Sequence, residues 1–178
     1  MSSQKTSAKS RFLILFSLLS LCITAKVIAQ DETAKLINKI PKHLPLKIEI
    51  QNADKEDLMR ELTLKVTNES DKPIYYIDFF LEVADVEKTS GLNFAEHFWF
   101  GDREFKWDKI ASGEDAFIKK GETVTLKVSE DRIKGFTRML ERYSFTKPRK
   151  FILWFSYLSF GDGTGYHTLG AVPYPEKN

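Results

Sequence analysis

From Leu44 onward the chain is written in period two, and this alternation constrains its fold more than any other feature. Leu46, Ile48 and Ile50 fall on one side of "LPLKIEI"; Leu62, Leu64 and Val66 fall on one side of "ELTLKVT", with Glu61, Thr63, Lys65 and Thr67 opposite. Successive side chains of a strand point to opposite faces, so each segment is expected to be a half-buried strand with one apolar and one polar face. The polar cluster "NESDKP" at 68–73 reads as a turn, which also accounts for the formal glycosylation acceptor Asn68-Glu69-Ser70. Residues 74–83 carry apolar side chains on both faces and read as a central strand, in which Asp78 and Glu82 share a face with Ile74, Tyr76 and Phe80.

The second half continues the pattern. Leu92, Phe94, Phe98 and Phe100 are in phase, with Glu96 as the exception, and predict a strand. Residues 101–116 are charged and turn-rich, with a short edge strand expected around 105–107. Val124, Leu126 and Val128 line one face of a further strand. Ser129 followed by Glu130 and Asp131 is a helix start, a capping oxygen with two acids at the positive end of the dipole. Ile133, Phe136, Leu140 and Tyr143 then recur at helical spacing, while Gly135 weakens the helix and makes it depend on packing. Residues 150–160 are apolar on both faces, and Trp154 within them is expected to be buried.

The stretch "SFGDGTGYHT" closes the pattern. Asp-Gly between aromatic and β-branched runs is a strong hairpin signal, so Gly161, Asp162, Gly163 and Gly165 are assigned to a structural turn. One carboxylate does not make a calcium loop, and no lysine or helix follows to make a phosphate loop.

The N-terminus sets the compartment. Lys5, Lys9 and Arg11 precede the apolar run "FLILFSLLSLCITA", too short for a comfortable membrane span, and "VIA" at 27–29 suits cleavage before Gln30, with Ala25 the second choice. The expected division is 1–29 signal peptide, 30–43 polar arm or linker, and 44–178 folded domain; the product is exported, with no transmembrane segment after cleavage. Cys22 is the only cysteine and lies inside the leader, so the mature chain forms no disulfide; lipid anchoring through Cys22 is the alternative, opposed by Leu21 in place of a small residue. Without residues 1–29 the chain loses four of its 27 basic residues and none of its 25 acidic ones, leaving a formal charge of −2. That balance argues against a nucleic-acid partner.

The order of about seven strands, with "VTNESDKPIYYIDF" early, "KKGETVTLKV" in the middle and a helical segment before the penultimate strand, resembles immunoglobulin-like modules of secreted bacterial proteins. Locally, "FGDGT" is similar to the signature of polycystic-kidney-disease-type domains. The resemblance implies an all-β immunoglobulin-like β-sandwich with one short helix near 130–143, and carries no activity with it.

Chemistry is sparsely signalled. His43, His97 and His167 are not paired at metal-ligand spacing, no nucleophile elbow or HExxH motif occurs, and no metal or cofactor is expected. Glu96, Asp102, Glu104 and Asp108 flank the tryptophan-rich middle segment and are the acids a glycan-acting enzyme would use. Trp99 and Trp107 sit among polar residues and are the candidates for ligand stacking. The expectation is a non-catalytic binding or accessory module, monomeric or weakly associating, for a protein or cell-envelope partner; glycan binding through the two tryptophans is the alternative.

Overall fold

The computed structural model describes residues 34–86, 94–107 and 109–175, all within the compact unit Thr33–Asn178. The expected signal peptide, its expected cleavage sites and Cys22 lie outside the described residues. In chain order the elements are β1 (Lys35–Asn38), β2 (Leu46–Gln51), α1 (Leu58–Glu61), β3 (Thr63–Asn68), β4 (Tyr76–Val83), β5 (Ala95–Gly101), a 3-10 helix (Arg103–Trp107), β6 (Thr123–Leu126), α2 (Glu130–Arg142), β7 (Lys150–Ser159), β8 (Gly165–His167) and β9 (Val172–Tyr174). The protein is mostly β, and no described helix is long and apolar enough to cross a membrane.

Two sheets share one core. The smaller runs β2-β3-β6, antiparallel throughout; the larger runs β5-β4-β7-β8-β9, with β1 also paired to β7. The ten-residue β7 organises the larger sheet. One of its edges takes β4, and the other is divided between β1, parallel along Lys150 to Leu153, and β8, antiparallel along Tyr157 to Ser159. Ile77, Phe79, Leu81 and Val83 of β4 and Phe151, Leu153 and Phe155 of β7 meet Leu64 and Val66 of β3 and Ile133 and Phe136 of α2 in a single buried cluster.

Several expectations need correction. The polar stretch 30–43 is not simply an arm: Lys35 N donates to Arg149 O (2.7 Å), Lys39 N donates to Leu153 O (2.9 Å), and Leu36 and Ile40 pack on the core, so the domain begins near residue 34 and not at 44. The edge strand expected at 105–107 is a 3-10 helix. Asp102 starts it by accepting Glu104 N on Oδ1 (2.9 Å), and Phe105, 1% exposed, is drawn inward against the Tyr75 ring. The helix at 130–143 is α2, its first turn capped by Ser129 Oγ accepting from Arg132 N at 3.4 Å.

The "NESDKP" turn is fixed by Asn68, which is fully buried. Its amide donates to the carbonyls of Lys72 and Ile118, and its oxygen accepts from Ser70 N and Oγ. With every valence occupied, this side chain is a structural bolt between β3 and the loop carrying Ile118.

The hairpin between β7 and β8 is longer than a two-residue turn, closing with Phe160 N donating to Thr164 O. Gly161 (φ +69°) and Gly163 (φ +80°) supply left-handed backbone. Gly165 serves differently: a Cβ there would lie 2.0 Å from Leu158 O, so the residue permits close strand approach. Asp162 Oδ1 accepts Thr164 N (3.0 Å) and Thr164 Oγ1 (2.6 Å), while Oδ2 holds Lys72 Nζ (2.7 Å). Asp162→Asn keeps the local turn and loses an exposed ion pair, so it is expected to cost about 0.5 kcal/mol at low salt and nothing measurable at high salt. Thermal melts of both proteins at the two salt concentrations check this, and a calcium-dependent rise in the parent's melting temperature that Asp162→Asn abolishes would contradict the turn assignment.

Candidate functional site

The site grows out of β4, whose two faces carry different chemistry. Ile77, Phe79, Leu81 and Val83 enter the core; Tyr76, Asp78, Phe80 and Glu82 line the opposite face of the sheet. Register then decides their neighbours. Phe80 stands between His97 of β5 and Trp154 of β7, and Asp78 stands between Trp99 and Tyr157. Tyr157 in turn faces His167 of β8.

A β-bulge makes this row possible. Phe79 pairs with Phe155 but Asp78 pairs with Tyr157, leaving Ser156 as the extra residue. Three positions apart, Trp154 and Tyr157 would point to opposite faces of a regular strand; the inserted residue returns them to the same one. Trp154 is therefore half-buried on this outer face and not in the core, a correction to the expectation that it is buried.

The rings form two groups on this face. Phe80 lies 6.5 Å from Trp154 with planes 24° apart and 5.9 Å from His97; Tyr157 lies 6.2 Å from Tyr76 and 5.3 Å from Tyr174, which packs edge-on against His167. Trp154 Nε1 donates to Glu82 Oε2 at 2.6 Å, so the indole is held in place by an acid on the same face.

A charged cluster sits at the centre. The Asp78 side chain is 1% exposed, with Oδ1 2.9 Å from His97 Nδ1 and Oδ2 accepting from Lys106 Nζ at 2.6 Å. Burial pushes the carboxyl pKa up, but the hydrogen bonds and charges of His97 and Lys106 outweigh it, and the net shift is downward. Lys106 reaches over from the 3-10 helix, and its ammonium also lies 5.3 Å from the Tyr76 ring centre. The Tyr76 hydroxyl is buried without a hydrogen-bond partner; desolvation and then the Asp78 charge push its pKa well above the ordinary phenol value. The Arg103 guanidinium partly offsets that rise without reaching hydrogen-bond geometry, and lies 5.5 Å from the Trp99 ring centre.

An aspartate holding Nδ1 of a histidine is the orienting half of a nucleophilic apparatus. The other half is not found among the described residues, where His97 hydrogen-bonds to Asp78 and to no hydroxyl or thiol. Nor does any group of three His, Cys, Asp or Glu side chains among them converge as a metal site would require.

The expected site residues are dispersed. Trp99 lies on the aromatic face, 37% exposed. Trp107 closes the 3-10 helix, and its side chain lies outside the described residues. Among the described residues the expected acids pair with cations and not with one another. Glu96, in register with core-facing Leu81, meets Arg132 of α2 at 3.4 Å, and burial raises its pKa. Asp102 and Glu104 share Lys109, at 2.9 and 3.7 Å, and Asp108 lies outside the described residues. His43 Nε2 lies 3.0 Å from Ala171 O, far in sequence from the cluster. Gly161, Asp162 and Gly163 form the hairpin loop, tied through Lys72 to the "NESDKP" turn, and Gly165 opens β8. The residues missed were Asp78, Lys106 and Phe80. Their signal was two acids on one face of a strand too apolar to expose them, since a carboxylate there requires a buried partner.

Compared with known proteins, the chain matches no family model, no curated protein and no solved structure.

Proposed function

We propose that the protein is an exported, non-catalytic binding module, an immunoglobulin-like sandwich in architecture, that engages a protein partner of the cell envelope through the outer face of its larger sheet. The observation that carries this reading is the row of aromatic side chains assembled across β5, β4, β7 and β8, held by Asp78 and Glu82. Tyrosine, tryptophan and arginine are the residues on which protein interfaces concentrate their binding energy. Phe80, His97, Trp154 and Tyr157 are half-buried, and each has another ring of the row beside it. A sugar platform needs ring faces open to solvent, whereas here the most exposed ring of the row, Trp99, has a guanidinium beside it. A protein surface supplies its own apolar and hydrogen-bonding groups and fits such a face better than a pyranose does.

The test is capture from a cell-envelope extract by immobilised parent, by Trp99→Ala and by Ile110→Ser, an exposed apolar residue outside the aromatic row. A protein retained by the parent and by Ile110→Ser is expected to be lost at least about tenfold with Trp99→Ala, the loss a single interface hot spot produces. Equal retention by all three would overturn the assignment of this face. Trp99-dependent retention of a polysaccharide with no protein would replace the partner class by a glycan.

A further inference from the structure

We propose that the outward face of α2, a surface separate from the aromatic sheet face, docks on an anionic lipid bilayer. Ile133 and Phe136 turn one side of the helix into the core. On the other side Lys134, Arg138 and Arg142 recur at i, i+4 and i+8, a single column of positive charge about 12 Å long at 1.5 Å per residue. Like charges four residues apart destabilise a helix, so folding alone does not favour this column. Neither Arg138 nor Arg142 forms an ion pair among the described residues. Arg138 Nε donates to Lys134 O at 3.3 Å, and the Arg142 guanidinium lies 5.9 Å from the Tyr143 ring centre. Lys134 has only the solvent-exposed Asp131, at 3.9 Å.

Gly135 is a second, independent observation. An interior glycine weakens a helix, yet nothing lies within 4 Å of where its Cβ would stand, so no packing contact requires it. It borders a shallow depression of about 420 Å³ lined by Gly135, Arg138, Met139, Arg142 and Tyr143. Tyr143 is 53% exposed and stacks on Phe145 at 5.8 Å. Guanidinium groups bind phosphate oxygens in a bidentate fork, an amphipathic aromatic belongs at the headgroup level, and basic residues near an anionic leaflet add their attractions. Cations spread over more than two helical turns on an unwalled surface cannot converge on one soluble phosphate. A plane of phosphates meets all of them together.

The test follows amide hydrogen exchange of the full chain with vesicles of phosphatidylcholine alone or with phosphatidylglycerol added. Exchange is read at residues 130–143 so that any attraction of vesicles to Lys5, Lys9, Arg11 and the apolar run after them does not enter the signal. Exchange there is expected to slow only with phosphatidylglycerol, to recover at high salt, and to be unaffected by vesicles in the triple variant K134Q/R138Q/R142Q, whose circular dichroism confirms folding. Protection that persists in the folded triple variant would overturn the proposal. So would equal protection by soluble polyphosphate at the same phosphate concentration, which would make the ligand a soluble polyanion, and so would no slowing with either vesicle.

Discussion

Gly101→Ala is expected to lower the free energy of unfolding by about 3 kcal/mol or more, among the largest effects of any single substitution in this chain. The residue ends β5 with φ +85°, a left-handed conformation that costs a side-chain-bearing residue about 1–2 kcal/mol. A methyl group there would also stand 1.8 Å from Tyr75 O and 2.9 Å from Tyr75 C. Those atoms are backbone and cannot swing aside. Tyr75 N donates to Ser159 O of β7 at 3.0 Å, and Gly101 itself is in register with Tyr76, so relief of the clash must move the junction of three strands. Gly121→Ala is the control. Its φ of +76° is nearly the same, but nothing lies within 4 Å of the added carbon, so only the conformational cost of about 1 kcal/mol remains. Urea denaturation midpoints of the two variants separate backbone strain from steric collision; equal shifts would show that the close approach of Gly101 to β4 has been misjudged.

Much of this fold is legible locally, and what is not legible has non-local causes. The strands β2 and β3 follow from Leu46, Ile48 and Ile50 and from Leu64 and Val66, because one period-two stripe can be buried in only one way. Helix α2 follows from Ser129 and from Ile133 and Phe136. By contrast, β1 is four residues whose hydrogen bonds come wholly from a strand more than a hundred positions away, and nothing in "KLIN" by itself announces a parallel partner. Trp154 was misplaced for a related reason. Alternation along β7 puts it opposite core-facing Phe151, Leu153 and Phe155, but the strand is apolar on both faces, and which of the two is covered by the second sheet is set by packing and not by the strand itself. The 3-10 helix reads as an edge strand because "EFKW" alternates; the side chain of Asp102, one residue before the helix, decides otherwise by capping it. Of the candidate site, Trp99 was legible as an aromatic on a polar face. The triplet of Asp78, His97 and Lys106 was not, since strand register and a helical turn bring together residues spaced 19 and 28 positions from Asp78.

That triplet carries the second large expectation: Asp78→Ala should destabilise the protein by about 3–5 kcal/mol, the usual cost of removing one partner from a buried ion pair. The Lys106 side chain is only 20% exposed, and without the carboxylate its ammonium remains partly desolvated with no counter-charge. Asp78→Asn keeps an acceptor but not the charge, and should cost less, about 2 kcal/mol. Acid titration isolates the electrostatic part. The folded pKa of Asp78 is depressed below its ordinary value, because hydrogen bonds to His97 and Lys106 overcome the opposing effect of burial. A carboxylate stabilised in the folded state contributes fully above its unfolded pKa of about 4, and this contribution is lost as pH falls through the depressed folded value. Between pH 6 and the acid limit of folding, on the order of pH 2–3, the parent should therefore lose stability more steeply than Asp78→Asn, and the two curves should converge at the acid end. Urea denaturation across that range measures both. Parallel curves would mean that the Asp78 charge contributes nothing to folding, and the cluster would then have no claim to hold the 3-10 helix over the aromatic face. If the curves converge as expected, releasing Lys106 also frees the segment that carries Arg103 beside Trp99, so Asp78→Asn should weaken capture of the proposed envelope partner even where the protein stays folded.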